Sequence, residues 1–405
     1  MPVAPTKRPA ADAAPERPVE VAAFRPWLSH EDWLCRALAA GELSHRSDDG
    51  TIRILTSAAA RETDVRVLSV LLRALVGRGR DDLLAEGGVD LGDRLVPLLK
   101  HEHPTIRARA LAILSTLAPV RLGDQPEAYL LWWDRGRSGL ALEAALVTER
   151  RVAVKGAGST LAEGETHTFA AAAMAKYENL DRIHRYGLEL VICLDSTGSM
   201  GGVIEPAKRN LITLIERLRR LAPRLRVGLV TYDDEARLRS SLTTDERALE
   251  RDFKKVFAAG GDDYEEGVDK AIAVALRQDK VAWSSKASRV IVVVGDAPPH
   301  DDDVSPMLKA VGRSRADGAF ECPVRLDTIS TNLGAGGDPD GLVPYFRALA
   351  TAGHGAALKL SETKDLAVEL VMSAFGPTWR EPIRALLAEM DAFDGAADTS
   401  HRSGG

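Results

Sequence analysis

Cysteine is scarce: Cys35, Cys193 and Cys322 are the only three in 405 residues. They are far apart and odd in number, so neither a disulfide framework nor a CxxC metal site is indicated. That usage suits a reducing compartment, and a cytoplasmic location is the expectation. Cys193 sits in an apolar run and reads as a small buried hydrophobe. No uninterrupted stretch of ~18 apolar residues occurs, which leaves no candidate transmembrane helix. Residues Met1 to Ala23 are rich in Pro and Ala, lack the apolar centre of a signal peptide, and read as a disordered extension. Positive charge is not in excess either. The formal net charge is -6, so the chain as a whole is no electrostatic nucleic-acid binder. The local cluster Arg217, Arg219, Arg220, Arg224 and Arg226 reads as a solvated helix face followed by a loop.

Catalytic signatures are missing as well. There is no GxSxG elbow, because Gly198 directly precedes Ser199. HExxH and a Walker A loop are absent, and no Cys/His pair falls on strand ends. Ser199 as a nucleophile would need a nearby base, and none is evident. The expectation is therefore a protein that is not an enzyme. His101 and His103 flank Glu102, but a turn between helices accounts for them better than a metal site.

What is present is the balance of a soluble globular protein, with 45% hydrophobic and 28% charged residues. The length suggests two or three domains. After the extension, residues 24–138 read as helical. Trp27, Trp33, Leu34, Ala37 and Leu38 recur at helical intervals. Two segments, RETDVRVLSVLLRALVG from Arg61 and HEHPTIRARALAILSTLA from His101, share a polar turn, an Arg and an amphipathic helix. Arg66 and Arg107 lie 41 positions apart, a period that fits paired-helix solenoids. The region resembles HEAT-like repeats, with an ordinary helical bundle as the alternative. Trp132 and Trp133 would pack its end. Residues 139–187 read as a connector with a strand or two in ERRVAVKGAGSTLAEGETHTF.

From Leu188 on, strands alternate with helices. Leu188–Leu194, Arg226–Tyr232, Arg289–Gly295, Val324–Ser330 and Ala356–Leu360 are short apolar runs of the kind buried on both faces of a parallel sheet. Ile204, Ala207, Leu211, Leu214, Ile215, Leu218 and Leu221 form one helical stripe; Val268, Ala271, Ile272, Ala275 and Leu276 form another. The fold class is α/β, a doubly wound, mostly parallel sheet over 188–376, preceded by the all-α HEAT-like region. Residues 377–405 are expected to be a helix and a flexible tail.

In such sheets ligands bind at the carboxyl ends of the strands. The first strand runs into LDSTGSM, where Asp195, Thr197 and Ser199 alternate. A carboxylate and two hydroxyls make a hard oxygen site suited to Mg²⁺ or Mn²⁺, with Ca²⁺ a further candidate. An N-cap cluster opening the next helix is the alternative. Two more loops end at the same rim: AGGDDYEEG brings Asp262 and Asp263, and VVVGDAPPH brings Asp296. The run Asp301, Asp302 and Asp303 reads as a helix start favoured by the dipole, in preference to a second cation site.

These motifs resemble the von Willebrand factor A family and its metal-dependent adhesion site. DSTGSM matches the family's Asp-x-Ser-x-Ser, with Thr197 at the middle hydroxyl, and WSSKASRVIVVVGDAPPH looks especially like bacterial members. The resemblance implies that Thr197 and Ser199 ligate the metal directly, that Asp195 acts largely through water, and that Asp296 supplies the third element. The family's second loop usually supplies a threonine. This chain has Asp262 at the aligned position and Asp263 beside it, a departure, and which of the two faces the metal is open. The resemblance implies a metal-dependent protein-interaction module whose protein partner completes the metal shell, with neither nucleic acid nor membrane as partner. A second reading is an accessory subunit of a chelatase-like or MoxR-type ATPase complex. A third is a metal-dependent hydrolase.

Overall fold

Up to residue 155 every regular element is helical among the described residues. The structure, a computed structural model, describes residues 20–120, 122–155, 174, 176–259, 265–316, 323–331, 338, 340–360 and 366–402. The expected extension up to residue 19, Asp262, Asp263, Cys322 and the last three residues of the tail lie outside the described residues. Contacts group the chain into two compact units, Met1–His30 with Glu42–Ala175 and Glu31–Gly41 with Lys176–Gly405.

The first unit carries α1 (Arg25–Leu28), the end of α2 (Trp33–Ser44), α3 (Thr51–Ala59), α4 (Val65–Leu75), α5 (Arg80–Glu86), α6 (Gly88–Leu98), α7 (Pro104–Leu117) and α8 (Pro126–Lys155). The two similar segments become α4 and α7, which pack against each other. Their starts are built alike. Asp64 caps α4 by accepting the Arg66 N–H at 2.9 Å, and the Arg66 guanidinium pairs with the same carboxylate at 2.6 Å. His103 caps α7 through Nδ1, which accepts the Thr105 N–H at 3.2 Å. The Arg107 guanidinium turns back onto the carbonyls of His101 and Glu102, at 2.7 Å each. The two histidines thus serve the turn. Trp133 is buried, with its indole N–H on Asp93 Oδ1 at 3.1 Å. It packs so close to α6 that a Cβ on Gly92 would lie 2.0 Å from its ring.

One local expectation fails. Gly139, the start of the expected connector, lies inside α8, and Glu149–Lys155, read as strand material, is the end of that helix. The Ala-, Leu- and Glu-rich run from Leu140 to Glu149 has high helix propensity and carries the helix through.

The second unit is the α/β half: α9 (Lys176–Tyr186), β1 (Leu188–Asp195), α10 (Gly201–Leu221), β2 (Leu225–Tyr232), β3 (Ala236–Thr243), α11 (Glu246–Lys254), α12 (Val268–Ala275), α13 (Gln278–Val281), β4 (Ser288–Gly295), α14 (Asp301–Ala316), β5 (Arg325–Ser330), α15 (Phe346–Ala352), β6 (His354–Lys359), α16 (Leu366–Phe375) and α17 (Arg380–Arg402). The sheet order is β3-β2-β1-β4-β5-β6. Every pair is parallel except β2 with β3. β1 and β4 are buried along their whole length, in keeping with their apolar stretches Leu190–Leu194 and Val290–Val294. On one face Val191, Cys193, Ile291 and Val293 pack with Ile272 of α12, Met307 of α14 and Phe346 of α15. α10 and α16 pack together as well. Each such buried aliphatic side chain contributes roughly 1.5–3 kcal/mol.

β3 is an element the sequence pattern hides. Its residues alternate between exposed and half-buried or buried and include two arginines, so it lacks an apolar run. The arginine cluster lies on a partly exposed surface and carries ion pairs there. Arg217 and Arg220 pair with Asp391 and Asp394 of α17, at 3.4 and 2.6 Å. Arg219 pairs with Glu246, and Arg224 donates to the Arg185 carbonyl. Arg226 pairs with Glu189, whose other oxygen accepts the Ser284 N–H at 2.9 Å. Asp301 to Asp303 do open α14.

Candidate metal site

The chain leaves β1 for β2 on one side of the sheet and later returns to β4 on the other. The crevice between the carboxyl ends of β1 and β4 is the topological switch point, where doubly wound sheets bind ligands. Asp195 is the last residue of β1 and Asp296 follows the last residue of β4, so both carboxylates stand at that crevice.

The loop after Asp195 is held from both sides. Ser196 donates its N–H and its hydroxyl to the Tyr232 carbonyl, at 2.7 and 2.9 Å. Its own carbonyl accepts the Ala259 N–H at 2.9 Å. Thr331 places its hydroxyl 3.1 Å from Met200 Sδ and donates its N–H to the Gly295 carbonyl at 2.9 Å. Within this frame Asp195 Oδ1 accepts two bonds from Thr197, from N–H at 2.9 Å and from Oγ1 at 2.7 Å. Thr197 Oγ1 lies 3.1 Å from Ser199 Oγ. The three side chains that alternate in the sequence therefore converge. Asp195 and Thr197 are buried, and Ser199 is exposed at the rim.

Asp195 Oδ2 is buried and has no hydrogen-bond partner, and the same holds for Asp296 Oδ1. Burial pushes the Asp195 carboxyl up to about 7; the nearby Asp296 charge adds to the shift, and the Thr197 bonds oppose it. Burial likewise raises the Tyr232 phenol well above its ordinary value, with the Asp195 charge adding to it. Its hydroxyl donates to the Val294 carbonyl at 3.1 Å. Gly295 is required here, because a Cβ would stand 2.4 Å from Tyr232 Oη and 3.2 Å from Asp195 Oδ2.

Two buried carboxylate oxygens without partners at the ends of β1 and β4, with the Thr197 and Ser199 hydroxyls converging on Asp195, form a donor set that fits a hard divalent cation. The set depends on the hydroxyls: among the described residues no cluster of three or more His, Cys, Asp or Glu side chains could hold a metal. Asp262 and Asp263 lie outside the described residues, and so does their place in the site. Ser196, Tyr232, Gly295 and Thr331 escaped the sequence reading. Only Gly295, directly before Asp296, carried a visible signal.

Residues 190–298 match the family model for the von Willebrand factor type A domain. The span runs from β1 to just beyond β4 and contains Asp195, Thr197, Ser199 and Asp296. Domains of this family generally mediate protein–protein interactions. Similar solved structures include the conserved hypothetical protein BatB from Bacteroides thetaiotaomicron, 16% identical, covering 50% of this chain and 100% of that one, with a TM-score of 0.34. A von Willebrand factor type A protein from Catenulispora acidiphila is 18% identical, covering 46% of this chain and 42% of that one, TM-score 0.36. The SpRpn10 VWA domain is 17% identical, covering 47% and 96%, TM-score 0.35. No curated protein matches the chain. Among the described residues no helix is long and apolar enough to cross a membrane.

Proposed function

We propose that this protein is a divalent-cation-dependent protein-interaction module. The observation that carries the reading is the pair of buried, unpartnered carboxylate oxygens on Asp195 and Asp296, whose charges act on each other, with the Thr197 and Ser199 hydroxyls converging on Asp195. Those four residues would hold Mg²⁺ or Mn²⁺, with Ca²⁺ as a further candidate, and Asp262 or Asp263 would add a carboxylate from the second loop. When bound, the cation offers an open position that a side chain of a protein partner can fill. Thr197 donates its hydroxyl and N–H to Asp195, which holds the loop in place.

We read the site as one for binding and not for catalysis. The Ser199 hydroxyl faces Thr197 and, through it, Asp195, which is a donor set for a cation and not an activated nucleophile. The helical unit would supply a second surface. The matched starts and mutual packing of α4 and α7 support two HEAT-like repeats, a scaffold that offers extended contact faces. A cytoplasmic setting belongs to the same reading, and the buried free thiols of Cys35 and Cys193 support it.

The experiment is capture of partners from native lysate, with intact protein and an Asp195→Ala variant, in Mg²⁺ and in chelator. A partner retained only by intact protein in Mg²⁺ is expected. Equal retention under all four conditions contradicts the reading.

A further inference from the structure

Phe257 is 67% exposed, the most exposed large hydrophobic residue described in the α/β unit. Single exposed apolar residues are ordinary, but this one is held in place. On one side Val256 is buried and donates its N–H to the Phe253 carbonyl at 3.0 Å. On the other side the Ala259 N–H bonds the carbonyl of Ser196, the residue between Asp195 and Thr197. A Cβ added to Gly201, two residues beyond Ser199, would lie 3.6 Å from the Ala258 Cβ. The ring itself stands 4.5 Å from Lys208 Nζ, and that ammonium is paired with Glu205 at 2.7 Å. The aromatic is therefore fixed beside the Asp195 loop before any partner arrives. Phe is enriched at the cores of protein interfaces, and a side chain ordered in advance loses less entropy on binding.

The charges around Phe257 decide what it can meet. Lys208, Lys254 and Lys255 surround it in space or sequence, and each is neutralised by a carboxylate, Glu205, Glu250 or Asp252. The surface is thus locally neutral, and an uncharged apolar group suits it. Resting on the partner-binding reading above, we propose that Phe257 is the apolar half of the partner surface whose polar half is Asp195, Thr197 and Ser199. The partner presents a large aliphatic or aromatic side chain to it, next to the group that meets the site.

A random heptapeptide display library, panned in Mg²⁺ against the full chain, tests this. The selected peptides should share a large apolar residue at a fixed position. Phe257→Ala should bind them at least tenfold more weakly and, when panned itself, should lose that preference while keeping the rest of the motif. Unchanged melting of the variant shows that the fold is intact. A shared motif without an apolar position, or the same apolar preference from Phe257→Ala, overturns the inference and leaves the cation reading standing. An apolar preference that needs Phe257 but persists in chelator and in Asp195→Ala overturns the inference, because it separates Phe257 from the Asp195 site. Failure to select any peptide overturns the inference.

Discussion

A methyl group on Gly295 should damage the site in a way that a second mutation can repair. In Gly295→Ala the new Cβ would stand 2.4 Å from Tyr232 Oη, about an ångström inside ordinary contact, and 3.2 Å from Asp195 Oδ2. Neither partner can retreat easily. Tyr232 is fully buried and its hydroxyl is tied to the Val294 carbonyl, while the Gly295 backbone is paired with Ser330 of β5. Overpacking of this kind costs about 1–3 kcal/mol. Tyr232→Phe alone removes one hydrogen bond, worth about 1 kcal/mol. In the double variant the offending oxygen is gone, so the two costs should fall short of their sum by at least ~1 kcal/mol. Urea unfolding of the four full-length proteins, followed by circular dichroism, measures the cycle. Additive costs would refute the placement of Tyr232 Oη against Gly295, and with it the wall behind Asp195.

In the helical unit Gly92→Ala should destabilise, because its Cβ would meet the Trp133 ring at 2.0 Å. Helix propensity alone would favour Ala by about 1 kcal/mol, so a raised melting temperature would show that α6 and α8 do not meet there. The metal-free protein should also lose stability with rising pH. Asp195, raised to about 7 in the fold, holds a proton that the unfolded chain, near ~3.8, has released. The loss accrues from about pH 4 and is complete above about pH 7, with an upper size of roughly 4 kcal/mol. Asp195→Asn should flatten that part of the profile in chelator, and parallel profiles would show that Asp195 is not the group responsible. Asp262→Thr should weaken Mg²⁺ affinity and strengthen acetate binding, because a unit charge at ~4 Å and an effective dielectric near 20 is worth ~4 kcal/mol. Asp263→Thr should do less; calorimetry showing no change for Asp262→Thr would remove Asp262 from the shell.

The parts legible in the sequence were those with one dominant physical cause. β1 and β4 announce themselves because a strand buried on both faces is apolar along most of its length, with Glu189 and Arg289 as buried charged exceptions. The convergence of Asp195, Thr197 and Ser199 follows from alternation at a strand end, and the structure brings them within hydrogen-bonding distance of one another in sequence order. What stayed hidden depends on long-range partners. β3 is an edge strand held by β2, so its own residues need not be apolar. Arg217 and Arg220 sit on a partly exposed face, as read, but their partners Asp391 and Asp394 of α17 lie 174 positions later and are invisible locally. Tyr232 and Thr331 enter the site only through strand register. Glu149–Lys155 is helical because the strong helix formers from Leu140 onward carry the helix through it.

The central claim, that Asp195, Thr197, Ser199 and Asp296 form a divalent-cation site, is most directly tested by calorimetric titration of Mg²⁺ into the full-length protein and into Asp195→Ala. Saturable binding to the intact protein and none to the folded variant is the expected result. Equal heats in both proteins, or no binding to either, would contradict the claim.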